Sequence, residues 1–345
     1  MAERDGSDGP STRQTLELPP PFFIMGCQGS GNTLLGLILG RHSRLAVFLG
    51  SHYYPLFAAD RRRYGDLNRS SNLVRLIRDF LVLTKARGVT APDVHEILDT
   101  LSERTFEGVL SAFLHAYAHG QGKARVGERT SQHYLYLREI LTGFAKSQVI
   151  FTIRDPRDIA FTIRAGLGTS VGGAIHAWNA AFAAYSHASR PVHLVRYEDL
   201  VRNPFDTITR ICEFLEERYE PAMLRFFEAT PEQFRTLPHH RRLFQPLDGC
   251  SVGEFRQMSA REIAEIEAGC AEGMEAVGYA FVRGRSECNE TKPPAGSGVS
   301  GFLIDRVRYY GWSRDRRRQG WLRWKIVLRV RIRYLLSFGF LRKDW

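Results

Sequence analysis

"FFIMGCQGSGNTLLGLILG", residues 22–40, opens on an apolar run, breaks at Gly26, Gly29 and Gly31, and resumes with Leu34, Leu35, Ile38 and Leu39 on one helical face. A buried strand feeding a helix through a glycine-rich turn is the layout of an anion cradle. Glycines let the backbone come close, successive N–H groups point inward, and the helix N-terminus adds its positive end. Asn32 or Thr33 opens the helix. From Gly26 to Thr33 the pattern is G-x-x-x-x-G-N-T, the spacing of a nucleotide-phosphate loop with Asn32 in the lysine position. No Lys or Arg occurs between Phe22 and Gly40, so the cation must come from elsewhere in the chain.

Working outward, "SQVIFTIR" (147–154) is β-branched and apolar, and Asp155-Pro156 follows it as a good N-cap and first helical position. Arg154, at a strand end beside a helix start, makes a second anion site at the carboxyl edge of the same sheet, with Thr162 two helical turns on. "RLAVFLG" (44–50), "KARVGE" (123–128) and "PVHLVRYED" (191–199) read as further strands. Helices are expected over 73–88, ending at Gly88, over 91–120 with Pro92 near the start, and from Asn203-Pro204. Strands alternating with helices predict an α/β fold, a parallel sheet covered on both faces.

The 345 residues, 43% hydrophobic, suffice for one large domain with an appendage. Cys27, Cys212, Cys250, Cys270 and Cys288 form no C-x-x-C pair, which predicts reduced thiols and a cytoplasmic setting rather than a zinc site or disulfide framework. Residues 1–20 read as a disordered N-terminus without a signal-peptide core. No run reaches the roughly 18 apolar residues of a membrane span.

The net charge of +11 is lopsided. Residues 301–345 hold thirteen basic and three acidic residues, net +10, which leaves the rest with 35 against 34. Four of the five tryptophans share that tail, and a Gly/Pro/Ser-rich linker (284–300) precedes it. Interleaved Arg and aromatic residues predict peripheral attachment of 301–345 to an anionic membrane surface. A nearly neutral body without a recognition motif predicts no nucleic-acid partner.

The two anion segments, in this order and spacing, resemble the bacterial and Golgi-type sulfotransferases that use 3′-phosphoadenosine 5′-phosphosulfate (PAPS). The first motif corresponds to Gly26–Thr33 and the second, R-D-P-R-D-x-x-x-[ST], to Arg154 through Thr162. "GERTSQHYLYL" (127–137) is similar to the family's G-E-K-T-P segment, "VRYEDLVRNP" (195–204) to R-Y-E-D-L-x-x-x-P, and "MEAVGY" (274–279) to its closing motif. The resemblance covers about 22–282 and implies a P-loop-like parallel sheet flanked by helices, a sulfotransferase domain at 21–283. It implies PAPS as sulfonyl donor without a metal, and a hydroxyl-bearing acceptor such as a sugar, a lipid or another small molecule. Gly29, Ser30, Gly31, Asn32 and Thr33 would hold the 5′-phosphosulfate, Arg154 and Thr162 the 3′-phosphate, and Tyr197 would sit near the adenine. Arg129, at the lysine of E-K-T-P, would be the missing cation.

Three positions depart from the family. Gly29 replaces its basic residue, Asn32 its first threonine, and Gly50, in "LGSHYYP", the Glu of an E-[ST]-H segment that deprotonates the acceptor. Sulfonyl transfer still needs a base. The candidates are His52, whose imidazole titrates near neutrality, then His133, which reads as a surface position at a helix start, then Glu128, which reads equally as an ion-pair partner. Arg61–Arg63 and Arg241-Arg242 read as solvated faces. The rival functions are a catalytically inactive homologue that binds PAPS or 3′,5′-ADP, and a P-loop small-molecule kinase. The kinase lacks its lysine and a clear strand ending in a metal-binding Asp.

Overall fold

The computed structural model describes residues 19–85, 90–167, 169–236 and 238–282. The linker at 284–300 and the basic tail at 301–345, with its expected membrane contact, lie outside the described residues, as do 1–18 and the expected helix end at Gly88.

Five strands form one all-parallel sheet: β1 (Phe22–Gly26), β2 (Leu45–Phe48), β3 (Arg125–Arg129), β4 (Val149–Ile153) and β5 (His193–Arg196), in the order β2-β3-β1-β4-β5. The short apolar runs become strands because both faces of the sheet are covered, so no polar alternation is needed. In chain order the helices are α1 (Asn32–Gly40), α2 (Tyr53–Phe57), α3 (Ser70–Lys85), α4 (Val94–Thr100), α5 (Phe106–His119), α6 (Leu137–Gly143), α7 (Pro156–Leu167), α8 (Val171–Ser186), α9 (Tyr197–Arg202), α10 (Pro204–Phe214) and α11 (Ala260–Ala276). Phe22, Ile24 and Ile150 pack under α1, α9 and α10, while Phe23, Met25, Phe48 and Phe151 face the larger core built with α3, α5, α7, α8 and α11. No helix among the described residues is long and apolar enough to cross a membrane.

Three boundaries differ from the sequence reading. The expected helix over 91–120 is two helices, because each start has its own cap. Asp93 and Glu96 make a reciprocal capping box, and the Thr105 hydroxyl accepts the Gly108 N–H at 2.9 Å. The strand expected at 191–199 stops at Arg196, and Tyr197 already begins α9. The helix expected from residue 73 begins at Ser70.

Since all strands run the same way, Gly26, Phe48, Arg129, Ile153 and Arg196 end at one edge of the sheet. The chain leaves β1 toward β2 and β3 and later crosses to β4 on β1's other side. That topological switch beside β1 opens the crevice where α/β sheets bind ligands.

Candidate active site

The cradle is built from what its glycines permit. Gly26 (φ +148°) ends β1 so close to β4 that a methyl group there would lie 2.1 Å from the Thr152 carbonyl oxygen. Gly31 (φ +86°) caps α1 in the left-handed region, and a methyl there would lie 2.5 Å from the Tyr197 ring. Two polar side chains fold the loop on itself. The Asn32 amide donates to Cys27 O at 3.0 Å, and its Oδ1 accepts the Thr152 hydroxyl at 2.7 Å. The Ser30 hydroxyl and N–H both donate to Cys27 O. Asn32 is 3% exposed, so a lysine head there would lose its water. The donors left facing outward are the first N–H groups of α1, which have no partner within a helix, and Thr33, the second residue of α1. The first turn of α1 carries no acidic residue to compete for them.

Cys27 is sealed into the same loop, and burial pushes its thiol up to about 12. Cys212 and Cys270 are also buried, whereas Cys250 is exposed. At pH 8, iodoacetamide is therefore expected to label Cys250 and spare the other three in the native protein, as read by peptide mass mapping. Labelling of Cys27 at the rate of Cys250 would mean that the cradle is open.

The second anion segment closes against the first. Arg154 is 4% exposed; one guanidinium nitrogen donates to Gly29 O and to the Thr162 hydroxyl, both at 3.1 Å, and the other to Ser251 O at 2.7 Å. The guanidinium lies over the Tyr197 ring, 4.5 Å from its centroid, and the Tyr197 hydroxyl bonds Ser251 Oγ at 2.5 Å. Trp178 holds the strand end from behind, its indole N–H donating to Arg154 O at 2.8 Å. Arg154 Nε is buried without a hydrogen-bond partner, and the carboxylate that acts on this guanidinium, Asp158, does so from beyond hydrogen-bonding distance, its oxygens being taken by Gly253 and Phe255. A buried cation in that state favours negative charge beside it.

The remaining motif residues hold this arrangement in place. Arg157 clamps both oxygens of Asp155, reaches Glu267 and Ala280 O, and covers the Phe255 ring at 4.2 Å. Asp158 accepts the N–H groups of Gly253 and Phe255 at 2.7 and 2.9 Å, anchoring the 251–255 loop over Arg154; burial raises its carboxyl. Glu198 takes the Asp155 N–H and the Tyr279 hydroxyl, each at 2.9 Å, so R-Y-E-D-L joins the second motif to the closing one; burial raises this carboxyl too.

On the other side of β1, the base candidates gather around one turn. His52 has φ +52°, left-handed for a residue with a side chain, and starts α2; its N–H donates to Thr130 Oγ1 at 3.1 Å. Glu128 Oε1 accepts the Ser51 N–H at 2.8 Å and the Thr130 hydroxyl at 2.5 Å. His133 Nδ1 stands 2.8 Å from Glu128 Oε2, a charge contact outside hydrogen-bond alignment. Both side chains are fully buried, so His133 is a core residue and not the surface residue expected; its ring meets Phe23 and Tyr54 edge-on. Burial alone would raise the Glu128 carboxyl, but the His133 contact and the bonds from Thr130 and Ser51 outweigh it and hold it below the ordinary carboxylate value. Arg129 pairs with Ile24 and turns to the α1 face, where a methyl on Gly36 would lie 3.6 Å from its Cβ.

The structure thus brings Gly29, Thr162 and Tyr197 each into contact with Arg154 and sets His52, Glu128 and His133 in a second cluster. Sequence reasoning missed Ser251, Trp178 and Glu198 as parts of the site. "GCSVG" (249–253) carried a signal, since both of its glycines have positive φ and turn the loop back over Arg154.

Residues 20–221 match the model of the sulfotransferase family. None of the curated proteins matches the chain. Among solved structures it is similar to the sulfotransferase domain from the olefin synthase of Synechococcus PCC 7002, at 21% identity and TM-score 0.52 over 76% of this chain and 96% of that one. It is also similar to the sulfotransferase domain from the curacin biosynthetic pathway, at 17% identity and TM-score 0.54 over 76% and 99% of the two chains. At these identities the likeness concerns the fold, and it agrees with the five-stranded parallel sheet. With the matched span covering more than half of its residues, this chain belongs to the sulfotransferase family.

Proposed function

We propose that the protein transfers a sulfonyl group from PAPS to an acceptor hydroxyl. The observation that carries this reading is Arg154, a buried guanidinium whose hydrogen bonds go to two carbonyls and a hydroxyl rather than to a carboxylate, placed between the cradle and Tyr197. A second phosphate beside a nucleoside ring distinguishes PAPS from ATP, and Arg154 with Thr162 is the pair to hold it. Tyr197 then borders the base, and the α1 N-terminus with Thr33 takes the phosphosulfate. Ser30 and Asn32 shape the loop, because their side chains are engaged within it.

In this reading His52 accepts the proton of the acceptor hydroxyl as its oxygen bonds to sulfur. The bond from sulfur to the bridging oxygen breaks in line, and 3′,5′-ADP leaves with that electron pair. Arg129 and the cradle N–H groups stabilise the charge that builds there. Fixed donors do this without reorganising, which compensates for the absent cradle lysine.

Arg154→Ala is expected to weaken PAPS binding by about 1.5–3 kcal/mol, the usual worth of a charged hydrogen bond. Adenosine 5′-phosphosulfate, which lacks the 3′-phosphate, should lose far less. Isothermal titration with both ligands checks this, and equal losses would refute the assignment of Arg154. Sulfonation by [³⁵S]PAPS separates the enzyme from an inactive homologue, which would bind without turnover.

A further inference from the structure

Residue 50 carries no carboxylate, but Glu128 of the neighbouring strand reaches the turn that follows it. Gly50 has φ +97°, a conformation a glutamate would adopt only under strain. Glu128, at the end of β3, lies in register with Phe48 at the end of β2 and reaches the backbone of Ser51. Three consecutive N–H groups of this turn are held by side chains: Ser51 by Glu128, His52 by Thr130, and Tyr53 by the Ser51 hydroxyl at 3.2 Å. The Thr130 hydroxyl donates to Glu128, which orients its lone pairs toward the His52 N–H.

Glu128 is poorly suited to act as a base. Its Oε1 accepts two hydrogen bonds, its Oε2 lies 2.8 Å from the His133 ring, it has no exposed surface, and its carboxyl is held low. It is well suited to hold shape. A left-handed histidine costs on the order of 1–3 kcal/mol and persists where its surroundings over-determine it. The surroundings here are a fully buried carboxylate with a fully buried imidazole against it. Replacing either partner would strand the other in the core.

Resting on the sulfonyl-transfer reading, we propose that Glu128, balanced by His133 and acting through Thr130, is the positioning residue of His52. It fixes the 51–53 backbone so that the imidazole at the start of α2 is preset for proton transfer. The bonds from Ser51 to Glu128 and from His52 to Thr130 tie the turn after β2 to the end of β3, so the acceptor side of the site is set by the β2–β3 pairing rather than by the donor cradle.

The test uses the full-length protein, with 2-naphthol as a phenolic acceptor and 3′,5′-ADP as the donor-site ligand. Thr130→Val keeps the side-chain volume and removes the acceptor for the His52 N–H. It should lower kcat about 10–100-fold, the usual effect of an outer-shell loss, with 3′,5′-ADP affinity unchanged within two-fold. Glu128→Leu should behave alike, and Glu128→Gln, whose amide oxygen still accepts both bonds, should recover most of the rate. In a His52→Ala background neither Thr130→Val nor Glu128→Leu should cost anything more, since residues acting through one group are non-additive. Additive losses, or a parallel loss of 3′,5′-ADP binding, would overturn the proposal. Amide hydrogen exchange tests the clamp without any acceptor. The Ser51 and His52 amides should exchange at least ten-fold faster in Thr130→Val and Glu128→Leu than in wild type, while the β1 amides do not change. Unchanged exchange also overturns it, whereas wild-type protein that sulfonates no hydroxyl brings down the enzymatic reading and leaves the clamp to this measurement.

Discussion

His52→Ala is expected to reduce kcat for sulfonyl transfer by roughly 10²–10⁴-fold, the contribution of a positioned general base, with PAPS affinity nearly intact. The separation follows from geometry. His52 belongs to the turn tied to β3, whereas Arg154, Thr162 and Tyr197 belong to the β4–β5 side of β1. Because alanine is disfavoured at φ +52°, His52→Asn is the companion variant: asparagine accepts the left-handed region and supplies no base. Both should lose turnover alike in a [³⁵S]PAPS assay. If the asparagine variant keeps more than about a third of kcat, the base lies elsewhere.

Gly26→Ala should produce the largest loss of stability among the glycine substitutions at the site. Its methyl would lie 2.1 Å from a backbone oxygen of the adjoining strand, and its φ of +148° is essentially reserved for glycine. Backbone strain and overpacking of about 1–3 kcal/mol each lead to a loss of roughly 2–6 kcal/mol. That is a large share of the ~5–15 kcal/mol that holds a typical protein folded. Gly122→Ala is the control, since φ is +64° there and no atom lies within 4 Å of the added methyl. It should cost only about 1 kcal/mol. Scanning calorimetry of the three proteins decides it, and melting of Gly26→Ala within 2 °C of wild type would sink the argument.

The central part of the sheet was legible because parallel strands buried on both faces read as short apolar runs, and β1, β2 and β4 end in punctuated turns at Gly26, Gly50 and Arg154-Asp155, whereas β5 runs straight into α9 and its end was not legible. The second anion segment was legible for a related reason. Arg154, Thr162 and Tyr197 sit at fixed offsets from strand ends, and backbone geometry brings such offsets together. What could not be read were contacts closed over long separations. Ser251 lies 97 residues from Arg154 and beyond the span matched by the family model. Asn32, read as a donor-site ligand, turns inward to Thr152, a pairing set by the β1–β4 register and invisible in either segment alone. The depth of His133 had no local signature, because a histidine at a helix start is usually wet. It is buried by contacts distant in sequence, among them the aromatic rings of Phe23 and Tyr54 and the carboxylate of Glu128.

The loop anchored over Arg154 also bears on how the protein is made. Asp158 waits for the amides of Gly253 and Phe255, and Arg154 for the carbonyl of Ser251. On a ribosome adding roughly 5–20 residues per second, that interval lasts about 5–20 s, with the sheet strands already synthesised and the edge groups of β4 unsealed. The pocket around Arg154 is therefore a late product of translation. A nascent chain stalled before Ser251 would carry every strand of the sheet and still lack the loop that closes over Arg154, which makes this interval the natural window for chaperone engagement.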